Sequence, residues 1–180
     1  MNLPQEDVLR FYDVFFKLID YTNEIYQVVP GLAKAAGAEM VDSEAITPVR
    51  DKLWENDDVI NRIVVDNPLG FSDRDLALVD SWKRRIVGRF LIYKYLKRYA
   101  VFMSDDKLYG VVGLTSPLDD LFPSFILPRY DDFVLLPFEE KITYDSLIFV
   151  PNITFGSGIR RRFSDDYRKM KAADGIITTL

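Results

Sequence analysis

Residues 88–114 read GRFLIYKYLKRYAVFMSDDKLYGVVGL, and this stretch decides the fold class. Three of its segments, FLIYKYL, YAVFM and LYGVVGL, are rich in aromatic and β-branched residues, which is typical of β-strands. The SDDK segment at residues 104–107 predicts a hairpin loop between two of these strands. Before residue 88 the apolar residues recur at helical spacing instead, so the chain changes from helices to strands at this point.

The first 87 residues predict a helical region. The longest helix is expected over residues 5–29, where apolar side chains recur near the spacing of one helical face. Shorter helices are expected after the cap at Thr47-Pro48, over residues 57–65, and from the cap at Ser72 to Gly88.

Further strands are expected in the last third of the chain. The segments FVLLPF (residues 133–138) and KITYDSLIFV (141–150) predict two strands joined by a tight turn at Glu139-Glu140. Pro137 favours an edge position or a bulge at the end of the first strand, because proline cannot donate a backbone hydrogen bond.

A last helix is expected from Ser157 to about Ala173, and Asp174-Gly175 ends it. Strands that follow a run of helices indicate an α+β fold with a mainly antiparallel sheet. We therefore predict a single domain over residues 1–180. Its helical part covers residues 1–87, and a sheet with one C-terminal helix covers residues 88–180.

The 180-residue chain contains no cysteine and no histidine. These absences exclude disulfides, thiolate nucleophiles, Ser-His-Asp triads and metal sites built on cysteine or histidine. Carboxylates, lysine, tyrosine, hydroxyl groups and oxygen-ligated Mg²⁺ remain as possible chemistry. We assign no catalytic residue, cofactor or metal ligand, and the sequence favours a protein without catalysis. The N-terminus does not resemble a signal peptide and no apolar stretch is long enough to cross a membrane, so we expect a cytoplasmic protein.

The net charge is −5, but the basic residues are unevenly distributed. Residues 83–98 contain seven of the 23 lysines and arginines, and residues 160–171 contain six. Such clustering is typical of an anion-binding face.

The first basic cluster is interleaved with tyrosines. On a regular strand Tyr93, Tyr95, Lys97 and Tyr99 would share one face, where the rings could stack on bases while cations bind phosphates. The alternative is ordinary cross-strand packing of tyrosines, with Lys97 and Arg98 protecting an edge strand.

The second basic cluster follows FGSGIRRR at residues 155–162. A glycine-rich turn at Gly156 and Gly158 that opens a helix, with Arg160 and Arg161 beside it, has the groups of a phosphate site. It lacks the spacing of a P-loop. The alternative is a turn that only begins a helix whose arginines pair with acids.

Several blocks of the sequence resemble a family of uncharacterised prokaryotic proteins. Some members of that family carry a C-terminal SEC-C zinc-binding segment, which has no counterpart in this cysteine-free sequence. The resemblance implies that the FGSGIRR turn and the KITYDS strand are family features, and it implies no catalytic residue. The blocks are LWEN at 53–56, LVDSWK at 78–83, LLPFEEKITYDSLI at 135–148, NITFGSGIRR at 152–161 and GIITTL at 175–180.

We place first a non-catalytic binding module for an anionic partner, either nucleic acid or an acidic protein surface. Its predicted site residues are Tyr95, Lys97, Arg98, Gly156, Gly158, Arg160 and Arg161.

Two alternatives remain open. One is a divalent-metal enzyme acting on a phosphorylated substrate, with Asp145 as metal ligand or base. The other is a protein-interaction subunit whose N-terminal helix docks a partner or a second copy through Phe11, Phe15 and Tyr26.

Overall fold

The structure, a computed structural model, describes residues 2–147 and 155–180. It contains N-terminal helices, a mainly antiparallel sheet and a C-terminal helix, which confirms the predicted α+β class. The chain forms two compact units, one from Pro4 to Lys83 and the other from Arg84 to Leu180 together with the N-terminal residues before Pro4. The boundary at Lys83 lies four residues before the predicted change from helices to strands. The predicted strand residues 148–150 lie outside the described part of the chain.

The helical unit, Pro4–Lys83, contains four α-helices. Its aromatic side chains form a buried cluster in which the ring centroids of Phe11 and Trp82 are 5.6 Å apart and those of Phe15 and Trp54 are 6.3 Å apart. The helices are α1 (Gln5–Tyr26), α2 (Ser43–Trp54), α3 (Asp58–Asp66) and α4 (Asp73–Ser81).

Two helix boundaries differ from the prediction. Helix α2 begins five residues before Pro48, because the Asp42 side chain accepts hydrogen bonds from the backbone N–H groups of Glu44 and Ala45 and caps the helix there. Helix α4 is capped by Ser72 as predicted, but it ends at Ser81 and not at Gly88. A short 3₁₀ turn follows, and Ile86 already belongs to the first strand, since it pairs with Leu135.

The second unit contains a five-stranded barrel with the strand order β1-β2-β3-β5-β4, closed by pairing between β1 and β4. All neighbouring strands are antiparallel except β3 and β5, which pair in parallel at Val111 and Ile142. The strands are β1 (Ile86–Tyr95), β2 (Ala100–Ser104), β3 (Lys107–Val111), β4 (Arg129–Phe138) and β5 (Lys141–Tyr144).

Two predicted turns are confirmed. Asp105 and Asp106 form the β2–β3 hairpin turn, both with positive φ, and Glu139-Glu140 joins β4 to β5. Pro137 lies two residues past Leu135, at which the β1–β4 pairing ends, and it pairs with Ile142 of β5. Its missing N–H therefore interrupts none of the β1–β4 pairs.

Helical segments cover the barrel at two places. The β3–β4 connection carries a short helix, α5 (Leu118–Leu121), whose Leu118 packs with the interior side chains Phe90, Phe102 and Phe133. Helix α6 (Ser157–Ala173), found at the predicted bounds, packs Phe163 and Tyr167 against the outer side chains of β1, β2 and β3.

Candidate functional site

The C-terminal tail pairs with β3 where β5 does not. The Gly110 N–H donates a hydrogen bond of 2.8 Å to the Ile177 carbonyl oxygen, and the Ile177 N–H donates one of 2.8 Å to the Leu108 carbonyl oxygen. The tail therefore runs alongside β3 and brings Thr178 to the outer surface of the barrel, near the β1–β2 loop.

A groove of about 480 Å³ lies at this surface. This volume falls within the range of ordinary ligand sites, about 300–1,000 Å³. The β1–β2 loop, the outer face of β3 and the β4–β5 turn contribute to it together. The groove is lined by Asn2, Lys97, Arg98, Tyr99, Gly110, Val112, Glu140, Lys141 and Thr178.

The Tyr99 ring packs directly on Gly110 at the floor of this groove. A Cβ atom added at Gly110 would lie 2.8 Å from Tyr99 Cγ, 2.9 Å from Cδ2 and 3.1 Å from Cδ1. These nearly equal distances place the face of the ring, not its edge, over the glycine. Because Tyr99 is only half-buried and also lines the groove, the exposed part of its ring is accessible to a ligand there.

The cations of the groove are free of ion pairs with the described residues. Lys97, Arg98 and Lys141 are exposed, and none of them forms a salt bridge within residues 2–147 and 155–180. Glu140 is the acidic residue of the lining, which leaves an excess of positive charge. Arg89 shows the contrast, because both oxygens of Asp132 accept hydrogen bonds of 2.9 Å from its guanidinium group.

Tyr95, one of the predicted site residues, faces the barrel interior. Its hydroxyl bonds to the carbonyl oxygens of Leu118 at 3.0 Å and Phe122 at 2.6 Å, and burial raises the pKa of that hydroxyl above its ordinary value. The predicted face shared by Tyr93, Tyr95, Lys97 and Tyr99 is therefore wrong. A β-bulge between Ile92 and Lys94 interrupts the alternation, so Tyr93 packs outside and Tyr95 inside.

The FGSGIRRR segment begins helix α6, with Gly156 at the N-cap. Added Cβ atoms at Gly156 and Gly158 would meet no atom within 4 Å, and neither residue has a positive φ, so the turn does not depend on glycine. The Arg160 guanidinium donates hydrogen bonds to the carbonyl oxygens of Phe155 and Leu127, at 3.1 and 3.0 Å.

Arg161 is exposed, and it forms no salt bridge with the residues that the structure describes. Gly156, Gly158, Arg160 and Arg161 do not line the groove that contains Lys97 and Arg98. The predicted site residues thus fall at separate places on the second unit.

The two basic clusters meet at the ring of Tyr167. The Nζ atom of Lys94 lies 3.9 Å from the centroid of this ring, and that of Lys171 lies 5.8 Å from it. The ring centroids of Tyr93 and Tyr167 are 5.0 Å apart, so an aromatic pair supports the two lysines.

The described acidic residues do not support the alternative of a metal site at Asp145. Asp145 is fully buried, and its backbone N–H donates a hydrogen bond to the Val134 carbonyl oxygen. Within the described parts of the chain, no three or more acidic residues come together in a group that could hold a metal ion.

A buried ion pair lies inside the barrel. Arg129 Nε donates a 2.8 Å hydrogen bond to Asp131 Oδ2, and the two residues are two positions apart on β4, on the same face as Phe133. Burial raises the pKa of Asp131 to about 6, although Arg129 opposes the shift.

The aromatic side chains of helix α1 are not a free surface. Phe11 and Phe15 are completely buried, and Tyr26 is half-buried with Lys52 Nζ 4.8 Å from its ring centroid. This burial counts against the hypothesis that the helix docks a partner through these rings.

Sequence reasoning missed Lys141 and Gly110 as parts of a site. Lys141 directly follows the two acidic residues of the Glu139-Glu140 turn, so the local sequence does not indicate a basic site. It lines the same groove as Lys97 only because of the order of the strands in the barrel. A small residue at position 110 of a predicted strand was the signal available for a close approach by another group.

No protein-family model, curated protein or solved structure matches the chain. In the two ranges that the structure describes, none of the helices combines the length and the apolar character needed to cross a membrane.

Proposed function

We propose that the barrel binds single-stranded nucleic acid in the groove between the β1–β2 loop and the start of β5. In this proposal a base stacks on Tyr99, and Lys97, Arg98 and Lys141 contact backbone phosphates. The observation that carries the proposal is the Tyr99 ring supported by Gly110 among cations that have no ion-pair partner in the described structure. An aromatic platform beside free cations is how proteins bind single strands without reading their sequence.

The topology of the barrel supports the same proposal. A five-stranded barrel ordered β1-β2-β3-β5-β4, with a helical segment between β3 and β4, resembles the OB-fold in its strand order. OB-folds bind oligonucleotides on the face of strands 2 and 3, between the loops that join strands 1 to 2 and 4 to 5. The groove described above lies between those two loops. This likeness is one of topology, so the argument rests on the groove residues themselves.

The carboxylates of an acidic protein surface could also pair with the cations of the groove, but they would not stack on the ring of Tyr99. Carboxylates would pair with Lys97, Arg98 and Lys141, whereas a base supplies a π-face of the size that Tyr99 presents. The groove contains both features, and we therefore favour nucleic acid over an acidic protein.

The test is fluorescence anisotropy of the 180-residue chain with labelled single-stranded RNA and DNA over a salt series. Substituting Tyr99→Leu should weaken binding and leave the salt dependence unchanged, because it removes a stack and no charge. The double substitution Lys97→Gln with Arg98→Gln should reduce the slope of log K against log[salt] by about 1.4, since each phosphate contact to a single strand contributes about 0.7.

The matched control is Lys107→Gln with Lys169→Gln. Both lysines are exposed, lie outside the groove and form no salt bridge with the described residues, so this variant loses the same charge elsewhere. Equal effects of the two double variants would contradict a specific site in the groove. Binding to a poly-glutamate peptide but to neither RNA nor DNA would replace nucleic acid by an acidic protein as the partner.

A further inference from the structure

Lys94 and Lys171 form a local excess of positive charge outside the groove. Both ammonium groups lie near the single ring of Tyr167, and neither forms a salt bridge with any residue that the structure describes. The ring attracts each cation but does not neutralise it, and two like charges near one ring repel each other. An anion placed between them would relieve this repulsion.

Two arginines of the same helix are already paired with acids of that helix. Arg162 lies 3.9 Å from Asp166, and Arg168 lies 3.4 Å from Asp165. The acids of the middle of α6 are therefore directed toward arginines of α6, while Lys171 has no such partner in the described structure. Lys171 therefore has no ion-pair partner among the described residues, and it lies near the C-terminal end of α6, where the ring of Tyr167 also contacts Lys94.

The strand register places Lys94 beside the groove, and Lys171 lies near Lys94 because both contact Tyr167. Lys94 of β1 pairs with Val101 of β2, and Val101 pairs with Gly110 of β3, so the three residues form one row across the barrel. Neighbouring strands are about 4.8 Å apart, which puts the Cα atom of Lys94 about 10 Å from that of Gly110. The Tyr99 ring on Gly110 and the Lys94–Tyr167–Lys171 cluster are thus adjacent positions on one surface.

We infer that Lys94 and Lys171 form a second phosphate-binding position. The nucleic-acid molecule that occupies the groove also reaches this position. This inference rests on the proposed function and extends it, because it specifies the substrate class: a polynucleotide of several nucleotides, not a mononucleotide. One base of the nucleic acid stacks on Tyr99. The nucleic-acid backbone then passes over the β1–β2 loop, and a phosphate further along it lies between Lys94 and Lys171.

The experiment compares the binding of short and long oligonucleotides to the 180-residue chain, for example oligo(U) and oligo(dT) of about 3 and about 12 nucleotides. The shorter length lies below the site size of about 4–16 nucleotides that is typical of single-strand binders, and the longer one lies within it. In the variant Lys94→Gln with Lys171→Gln, the long oligonucleotide should bind more weakly, with a salt slope reduced by about 1.4. Binding of the short one should stay at the wild-type level. The control Lys107→Gln with Lys169→Gln should change neither.

Two further variants separate binding from folding. Lys94→Arg keeps the positive charge and the contact with Tyr167. With native Lys171, this variant should bind the long oligonucleotide as tightly as wild type does. Lys171→Gln alone changes an exposed side chain and should reduce the slope by about 0.7 without lowering the thermal unfolding midpoint.

The outcomes distinguish this inference from the function on which it rests. If wild-type protein binds both lengths and the lysine variant behaves like wild type with each, the second position is wrong and the groove stands. If wild-type protein binds neither length at low salt, the proposed function is wrong and the second position fails with it.

Discussion

The ring of Tyr99 lies face-on against Gly110, so that a single methyl group at position 110 would come within 2.8 Å of Tyr99 Cγ. Tyr99 directly precedes β2, and Gly110 lies in β3. The two residues come together because β2 and β3 pair in the register that joins Val101 to Gly110. The absence of a side chain at position 110 is what lets the ring lie flat on the barrel.

Gly110→Ala should therefore weaken binding of single-stranded nucleic acid without changing any charge. The new methyl group displaces the Tyr99 ring, and a lost base stack is worth about 1–3 kcal/mol of binding free energy. Overpacking would also lower the free energy of unfolding, by about 1–3 kcal/mol. Anisotropy titrations at several salt concentrations check the first effect, and chemical denaturation checks the second. An unchanged affinity in a folded variant would show that the ring does not contact the ligand.

Gly158→Ala is the opposite case and serves as a control for the first prediction. Gly158 lies in helix α6, and an added Cβ atom would meet no atom within 4 Å. Alanine should raise the free energy of unfolding by about 0.5–1 kcal/mol, because glycine is the poorer helix former. Nucleic-acid affinity should not change. A marked loss of affinity would instead support the FGSGIRRR turn as a phosphate site.

Tyr95→Phe should lower stability and leave the affinity of the folded protein unchanged. The Tyr95 hydroxyl bonds to the carbonyl oxygens of Leu118 and Phe122. Its removal should cost about 1–2 kcal/mol of unfolding free energy, since hydrogen bonds to partly buried groups are lost. Denaturant titration and anisotropy give the two values. Weaker binding with unchanged stability would place Tyr95 at the ligand after all.

Asp131 should give the protein a characteristic pH dependence. Burial raises the pKa of its carboxyl group to about 6 in the folded state, above the ordinary value of 3.8. The folded state therefore binds the proton more tightly than the unfolded state does, and the contribution of Asp131 to stability falls as the pH rises from about 4 to about 6. The full difference is on the order of 3 kcal/mol, because each pKa unit corresponds to about 1.4 kcal/mol.

Asp131→Asn removes this titration, so it isolates the contribution of a single group. As the pH rises from about 4 to about 6, the interval between the two pKa values, wild type should lose stability relative to the variant. Urea denaturation at several pH values measures the difference. The other charged groups that influence the pKa of Asp131 are Arg129, Asp132 and Arg89, and all three remain in both proteins. Parallel pH curves for the two proteins would show that Asp131 is not the titrating group.

Much of the fold could be predicted from local sequence signals. The bounds of α6, the cap at Ser72 and the turns at Asp105-Asp106 and Glu139-Glu140 depend on nearby residues, and the structure confirms them. The start of β1 could not be read in the same way. Residues 86–88 lack a strong strand pattern and join the sheet because β4 is available to pair with them.

The site was less predictable, for a related reason. The sequence indicates that Lys97 and Arg98 lie in a basic segment, but the bulge after Ile92 turns Tyr95 inward, so the half-buried Tyr99 lines the groove with them instead. No local pattern marks that bulge. The meeting of Lys141 with Lys97 depends on the order of five strands, which pairwise propensities do not encode.

The strand order also bears on how the chain avoids aggregation as it is made. The hairpins β1–β2 and β2–β3 join segments that are close in the sequence, so they can form early. The pairing of β1 with β4, and of β3 with β5 and the tail at Ile177, joins distant segments and forms later. Until then two apolar strand edges are open to other chains. Slow synthesis at low temperature should therefore improve the yield of soluble protein.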